Sequence, residues 1–107
     1  MLSQQLLEAN SASEARFYIG ESYQNMGEYR KAIEAYYKVS YHGAGGFSQW
    51  ITSADFQRAR CHQSLGEHAT AITVYERIVR REGGQSPQGE MAQEQIVALR
   101  RSLGNRN

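Results

Sequence analysis

One cysteine (Cys61) and one proline (Pro87) are all that a chain of 107 residues holds of either type. A lone cysteine cannot close an intrachain disulfide, so its presence does not report the redox compartment. Proline breaks helix interiors, and its scarcity leaves long helices open. No apolar run approaches the ~20 residues that cross a bilayer, so no membrane insertion is expected. An excess of one charge is also missing: 12 basic and 11 acidic side chains leave a net charge of +1. That balance gives no electrostatic ground for binding nucleic acid or an anionic membrane surface. The opening MLSQQLLEAN has no basic stretch and no cleavage-type motif, and does not read as a secretory leader. What remains is a globular composition, 40% hydrophobic and 21% charged.

The chain repeats itself. Gly20–Val39 aligns without gaps on Ala59–Ile78 at an offset of 39 residues. Gln24 meets Gln63, Gly27 meets Gly66, Glu28 meets Glu67, Ala32 meets Ala71, Ile33 meets Ile72 and Tyr36 meets Tyr75. Small residues pair at Gly20/Ala59 and Ser22/Cys61. Each copy reads as two helices around a glycine. Ile19, Tyr23 and Met26 make one apolar stripe at helical spacing, and Tyr29, Ala32, Ile33, Tyr36 and Val39 make the next. Gly27 and Gly66 fall where a helix must end in a left-handed residue, and Ala32 and Ala71 where two helices cross closely. Ser11-x-x-Glu14 reads as a capping box opening the first full helix, and Ser86-Pro87 as the start of the last, which Gly104 closes. The expected helices are 13–26, 29–41, 48–65, 68–81 and 88–103, with ends good to ~2–4 residues. In the last of these, Ala92, Ile96, Leu99 and Leu103 share an apolar face, while Gln93, Glu94, Gln95, Arg100 and Arg101 face outward as a polar cap.

Gly20, Tyr23, Gly27, Tyr29, Ala32 and Tyr36, matched more loosely by Ala59, His62, Gly66, His68, Ala71 and Tyr75, resemble the tetratricopeptide repeat. The resemblance covers about residues 13–42 and 52–82 and implies an all-α, α-α superhelix. It predicts a single domain over 1–107, with repeat one at about 13–42, repeat two at about 48–82 and a capping helix at about 88–103. The sequence departs from the family in three ways. The period is 39 instead of ~34, the extra residues falling around His42–Gly46, with Phe47, Trp50 and Ile51 extending the next helix by a turn. The usual proline after the second helix is absent. Leu6–Ser13 looks like the tail of a preceding repeat, which implies the C-terminal piece of a longer array. A weaker similarity, in spacing and in the final helix, points to bacterial cell-envelope repeat proteins such as the Tol–Pal coordinator and outer-membrane assembly lipoproteins. That similarity implies the periplasm or cell envelope; without it the cytoplasm is expected.

The resemblance implies a groove lined by the first helices of the repeats, at Glu14, Phe17, Glu21, Gln24 and Asn25, and at Ser53, Phe56, Arg60, Gln63 and Ser64. Phe17 and Phe56 stand at equivalent places. They either anchor an apolar segment of a partner or pack between helices, with Leu6 or Leu7 covering Phe17. Glu21 and Arg60, also equivalent, either orient a charged ligand or pair with each other. Phe17, Tyr18 and Glu21 at the family's carboxylate-clamp positions disfavour a chaperone-tail clamp. Tyr37 and Tyr41 are an i, i+4 pair that forms a partner surface or packs against Phe47–Trp50.

Other candidate chemistry fails on spacing. Cys61-His62 with His68 matches no zinc pattern, and Cys61, opposite Ser22 at a small position expected to be buried in both repeats, is expected to be an inert thiol. His42 is an ordinary cation at a helix C-terminus. Gly43–Phe47 and Gly83–Gly89 lack a phosphate-loop context and read as connectors. No nucleophile–base–orienter set can be assembled, so no enzyme activity, cofactor or metal is expected.

The expected function is a scaffold that binds another protein or peptide through the groove or the terminal faces. The alternative is a self-assembly unit. Leu2, Leu6 and Leu7 near Phe17 and Tyr18 predict association through the N-terminal end, with a second copy as a homodimer or with a missing neighbour, and burial of residues 2–7 on their own hairpin is the competing outcome.

Overall fold

The computed structural model describes residues 4–42 and 48–104; Gln5, Leu6, Tyr41, His42 and Ser48 enter by their backbone alone. Gly43–Phe47, Leu2 and the side chains of Leu6, Tyr41 and His42, on which several expectations rest, therefore lie outside the described residues. Five helices follow one another: α1 Gln4–Asn25, α2 Tyr29–His42, α3 Ser48–Ser64, α4 His68–Glu82 and α5 Pro87–Gly104. There is no strand among the described residues. Each helix packs on the next, and α1 also touches α3, giving two hairpins and a fifth helix in an elongated stack of 55 × 33 × 17 Å. This is the all-α helical repeat that the periodicity predicted. Among the described residues, no helix is long and apolar enough to cross a membrane.

The two hairpin turns are built alike. Gly27 and Gly66 have φ of 78° and 77°. The N–H of Glu28 donates to the carbonyl of Tyr23 and that of Gly27 to Gln24; Glu67 to His62 and Gly66 to Gln63 repeat the pattern one period on. These paired bonds form a Schellman motif, which satisfies helix-end carbonyls and needs a left-handed residue at the turn. At the last helix, Ser86 Oγ accepts from the N–H of Gly89 at 2.9 Å, the expected cap.

The core lies in two clusters. Tyr36 and Val39 of α2 meet Ala54 and Cys61 of α3 in one, with Ala32 buried at the hairpin crossing. Ile72, Tyr75 and Ile78 of α4 meet Ala92, Ile96 and Leu99 of α5 in the other, with Ala71 buried at the equivalent crossing. A Cβ on Gly20 would stand 2.6 Å from the Tyr36 ring, so the ring rests directly on the α1 backbone.

Two expectations need correction. α1 does not start at the Ser11–Glu14 box; it runs from Gln4, with Ser11 and Ser13 inside it. A tertiary contact overrides the local capping signal: Trp50 Nε1 donates to Asn10 Oδ1 at 2.8 Å, tying the first turns of α1 to α3. Ser22 is exposed although Cys61, its equivalent, is fully buried. Cys61 has α2 packed over it, whereas no helix of the described residues covers that side of α1. Trp50 lies against Phe17 and Tyr18, at centroid distances of 5.6 and 6.3 Å; the packing of Tyr37 and Tyr41 on Phe47–Trp50 rests on Tyr41 and Phe47, outside the described residues. Tyr37 lies under the Arg58 guanidinium at 5.5 Å.

Candidate functional site

Stacking places the first helices of the two hairpins side by side with α5, and a groove of about 960 Å³ runs across them. α1 contributes Phe17, Gln24 and Asn25; α3 contributes Ser53, Phe56, Arg60, Gln63 and Ser64. These are eight of the ten expected positions. Glu14 and Glu21 lie on the same helix but do not line the groove: Glu14 is half-buried and Glu21 exposed. The groove also takes Gln57, Tyr29, Tyr75, Met91, Glu94 and Gln95, which the sequence reading did not assign to it. For Glu94 and Gln95 the signal was present: α5 begins 39 residues after α3 and occupies the place of a third first-helix, so one edge of its polar face points into the groove.

Both aromatics have packing partners as well as groove exposure. Phe17 packs on Tyr36 at 5.5 Å and on Trp50, and Phe56 meets Tyr75 edge-on at 5.8 Å. Leu7 is exposed. The packing reading thus holds for one side of each ring, through α2, α3 and α4 aromatics. Glu21 and Arg60, both exposed, form no ion pair with each other among the described residues.

The floor of the groove is polar and twinned. Tyr36 Oη donates to Gln24 Oε1 at 2.6 Å, and Tyr75 Oη donates to Gln63 Oε1 at 2.5 Å. With each carboxamide oxygen engaged, the amide N–H groups are the remaining donors of Gln24 and Gln63, both of which line the groove. Desolvation raises the Tyr36 phenol well above its usual range and pushes Tyr75 up to about 12, so both stay protonated donors. Burial likewise pushes the Cys61 thiol up to about 11, and it lies within the α2–α3 packing, away from the groove lining. A thiol so held is a poor nucleophile and metal ligand. His62 Nδ1 hydrogen-bonds Glu67 Oε1 at 2.8 Å instead of joining Cys61 in a ligand set. No group of three His, Cys, Asp or Glu able to hold a metal occurs among the described residues.

A buried network sits behind the groove. Asp55 accepts from Ser40 Oγ at 2.9 Å, Arg81 at 2.9 Å and Arg58 at 3.3 Å, joining α2, α3 and α4. Thr52 bonds Glu82 beside it. Repeat self-comparison could not find this network, because the residue equivalent to Asp55 is Arg16.

Comparison with known proteins gives one match. The family model described as tetratricopeptide repeat matches residues 14–41 and 53–82. No curated protein and no solved structure matches the chain.

Proposed function

The chain belongs to the tetratricopeptide repeat family, a non-catalytic repeat scaffold commonly used for protein–protein interaction, and from that membership we propose that it binds an extended segment of another protein along the α1–α3–α5 groove. The observation that carries this reading is the twinned pair Tyr36–Gln24 and Tyr75–Gln63. A fixed amide donor recurring one repeat apart suits the recurring carbonyls of an extended backbone. Phe17 and Phe56 stand beside these donors as apolar contacts, and Arg60 and Glu94 supply charge of both signs. Panning a random peptide library tests the proposal. Selected peptides should lose binding when Ser53→Arg and Ser64→Arg fill the groove, and keep it in Thr73→Arg on α4. Equal binding to all three variants would sink the groove reading.

A second reading, self-assembly through the N-terminal end, is favoured by one observation. Ile19 and Met26 on α1 are 51% and 65% exposed, beside a hairpin whose other apolar stripes are covered. The kinship with bacterial cell-envelope repeat proteins, and a periplasmic setting with it, rests on the 39-residue period and the last helix alone.

A further inference from the structure

The buried stripes fix how α5 stands beside α3. On α3, Ala54, Arg58 and Cys61 are buried; on α5, Ala92, Ile96 and Leu99 are buried at the same spacing. The two stripes superpose at an offset one residue short of the repeat period. At that offset Met91, Glu94 and Gln95 take the places of Ser53, Phe56 and Gln57, and all six line the groove. Phe17, Phe56 and Glu94 therefore form one row across α1, α3 and α5: aromatic, aromatic, acid. Arg60 stands one turn along α3 from Phe56 and one turn before Gln63. Desolvation raises the Tyr36 and Tyr75 phenols, and the Arg60 charge opposes it in both, as a cation within reach of both Tyr–Gln bonds does. Among the described residues, Arg60 and Glu94 are the only charged ones that line the groove. Both are exposed, and neither forms an ion pair among the described residues.

We propose that these two charges select the partner by its side chains: the bound segment places two apolar residues on Phe17 and Phe56, an acidic side chain on Arg60 and, toward α5, a basic side chain on Glu94. The proposal rests on the groove reading above and gives the segment its chemistry. A third aromatic in the row would ask for a third apolar residue; the acid at that place asks for a cation. Opposite charges on neighbouring helices also reject uniformly charged partners, since an acidic run meets Glu94 and a basic run meets Arg60. Because an exposed ion pair contributes only ~0–1 kcal/mol, the two charges act on choice of partner and register more than on gross affinity. The spacing follows from the fold. α1 and α3 touch, helices in contact have axes ~8–10 Å apart, and an extended chain rises ~3.3 Å per residue. The two apolar residues therefore lie about three residues apart, with the acid close to the second and the base beyond it.

The probe is a random peptide library displayed inside a carrier loop, so that neither peptide end is free and only side chains supply charge. It is panned against the parent chain, Arg60→Glu and Glu94→Lys, each checked for unchanged helical circular dichroism. Peptides selected by the parent should carry the two apolar residues, the acid and the base in that order along the groove. Glu94→Lys should exchange the selected base for an acid, and Arg60→Glu the selected acid for a base. Each variant should bind the parent's peptides at least ~10-fold more weakly. Where a reversal lowers the helical signal, Arg60→Gln or Glu94→Gln replaces it and should erase the matching preference. Parent peptides without charge preference, or unchanged preferences in the variants, overturn the charge reading; the groove reading then stands as long as Ser53→Arg and Ser64→Arg still abolish binding. Peptides that ignore those two groove-filling changes, or a library that yields no binder, overturn both.

Discussion

Single residues govern the turns and the closest approaches. An added Cβ at Gly27 or Gly66 would meet nothing within 4 Å, so space is not what excludes other residues there. The backbone is: φ near +78° costs an L-residue ~1–2 kcal/mol. Gly27→Val should lower stability by at least that much in urea denaturation, and Gly27→Asn, which tolerates the left-handed region, should recover most of it. An unchanged midpoint for Gly27→Val would refute the role of the turn. Gly20 is the opposite case, helical in φ but without room. Gly20→Ala gains ~1 kcal/mol of helix propensity and loses ~1–3 kcal/mol to overpacking. With the Tyr36 ring carbons 2.6 Å from the new Cβ, overpacking wins. The variant should be less stable than the parent, and the Tyr36–Gln24 bond should weaken with it. Ala59 tolerates its own Cβ at the equivalent place, so the reverse change, Ala59→Gly, should leave a small void instead of relieving strain.

At the scale of elements, the helices that the sequence showed best are α2 and α4. Each has one buried stripe and one solvated face, so their apolar positions recur cleanly at helical spacing. α1 was harder to read. It buries Ser13 and Gly20 on one side and exposes Leu7, Ile19 and Met26 on another, so its apolar residues do not fall on one face, and its start was hidden by Ser11 and Glu14. Its N-terminal part is tied down by the bond from Trp50, 40 residues on, to Asn10, which no local pattern records. The groove was legible at eight positions because the repeat register carries them, and lost at α5, where the register had to be extended to a helix that lacks the motif. Asp55 was invisible for a related reason: it joins three helices at a site where the repeats differ. Removing it leaves Arg58 buried with no acid to accept from it, and breaking such a pair costs ~3–5 kcal/mol. Asp55→Ala should therefore be among the most destabilising single changes in the chain, read by thermal melting. A loss no larger than that of a surface substitution would show that the network contributes little.

For the molecule as a whole, protonation sets limits at both ends of the pH range. The Arg30 side chain, and after it His62, hold Glu67 down at about 2, from an ordinary 4.5. A carboxyl whose folded value is depressed adds stability that is complete above its unfolded value and lost as pH falls through the folded one. The acid limb therefore begins below about 4.5 and continues toward about 2. The opposite limb belongs to buried groups that resist ionisation. Cys61 rises from 9.0 to about 11 and Tyr75 from 10.0 to about 12, both by desolvation. Their contribution is complete below the unfolded values and lost as pH climbs through the folded ones. Melting temperature should thus stay level between these limbs. Arg30→Ala should flatten the acid limb, and Cys61→Ala the onset of the alkaline one. An acid limb of unchanged shape in Arg30→Ala would show that the bidentate Arg30–Glu67 contact, at 3.0 and 2.6 Å, does not couple the hairpins in solution.

The placement of Trp50 also makes the protein its own optical gauge. It is the sole tryptophan, its indole N–H is held by Asn10, and its ring lies against Phe17 and Tyr18. Its emission colour and intensity follow the docking of α1 on α3, without any attached dye. α4 and α5 carry no tryptophan and are visible only through their helical backbone signal. Recording the two signals along one denaturant titration would show whether α1 leaves α3 before the rest of the stack unfolds, and ligand in the adjoining groove would be seen as a change of tint.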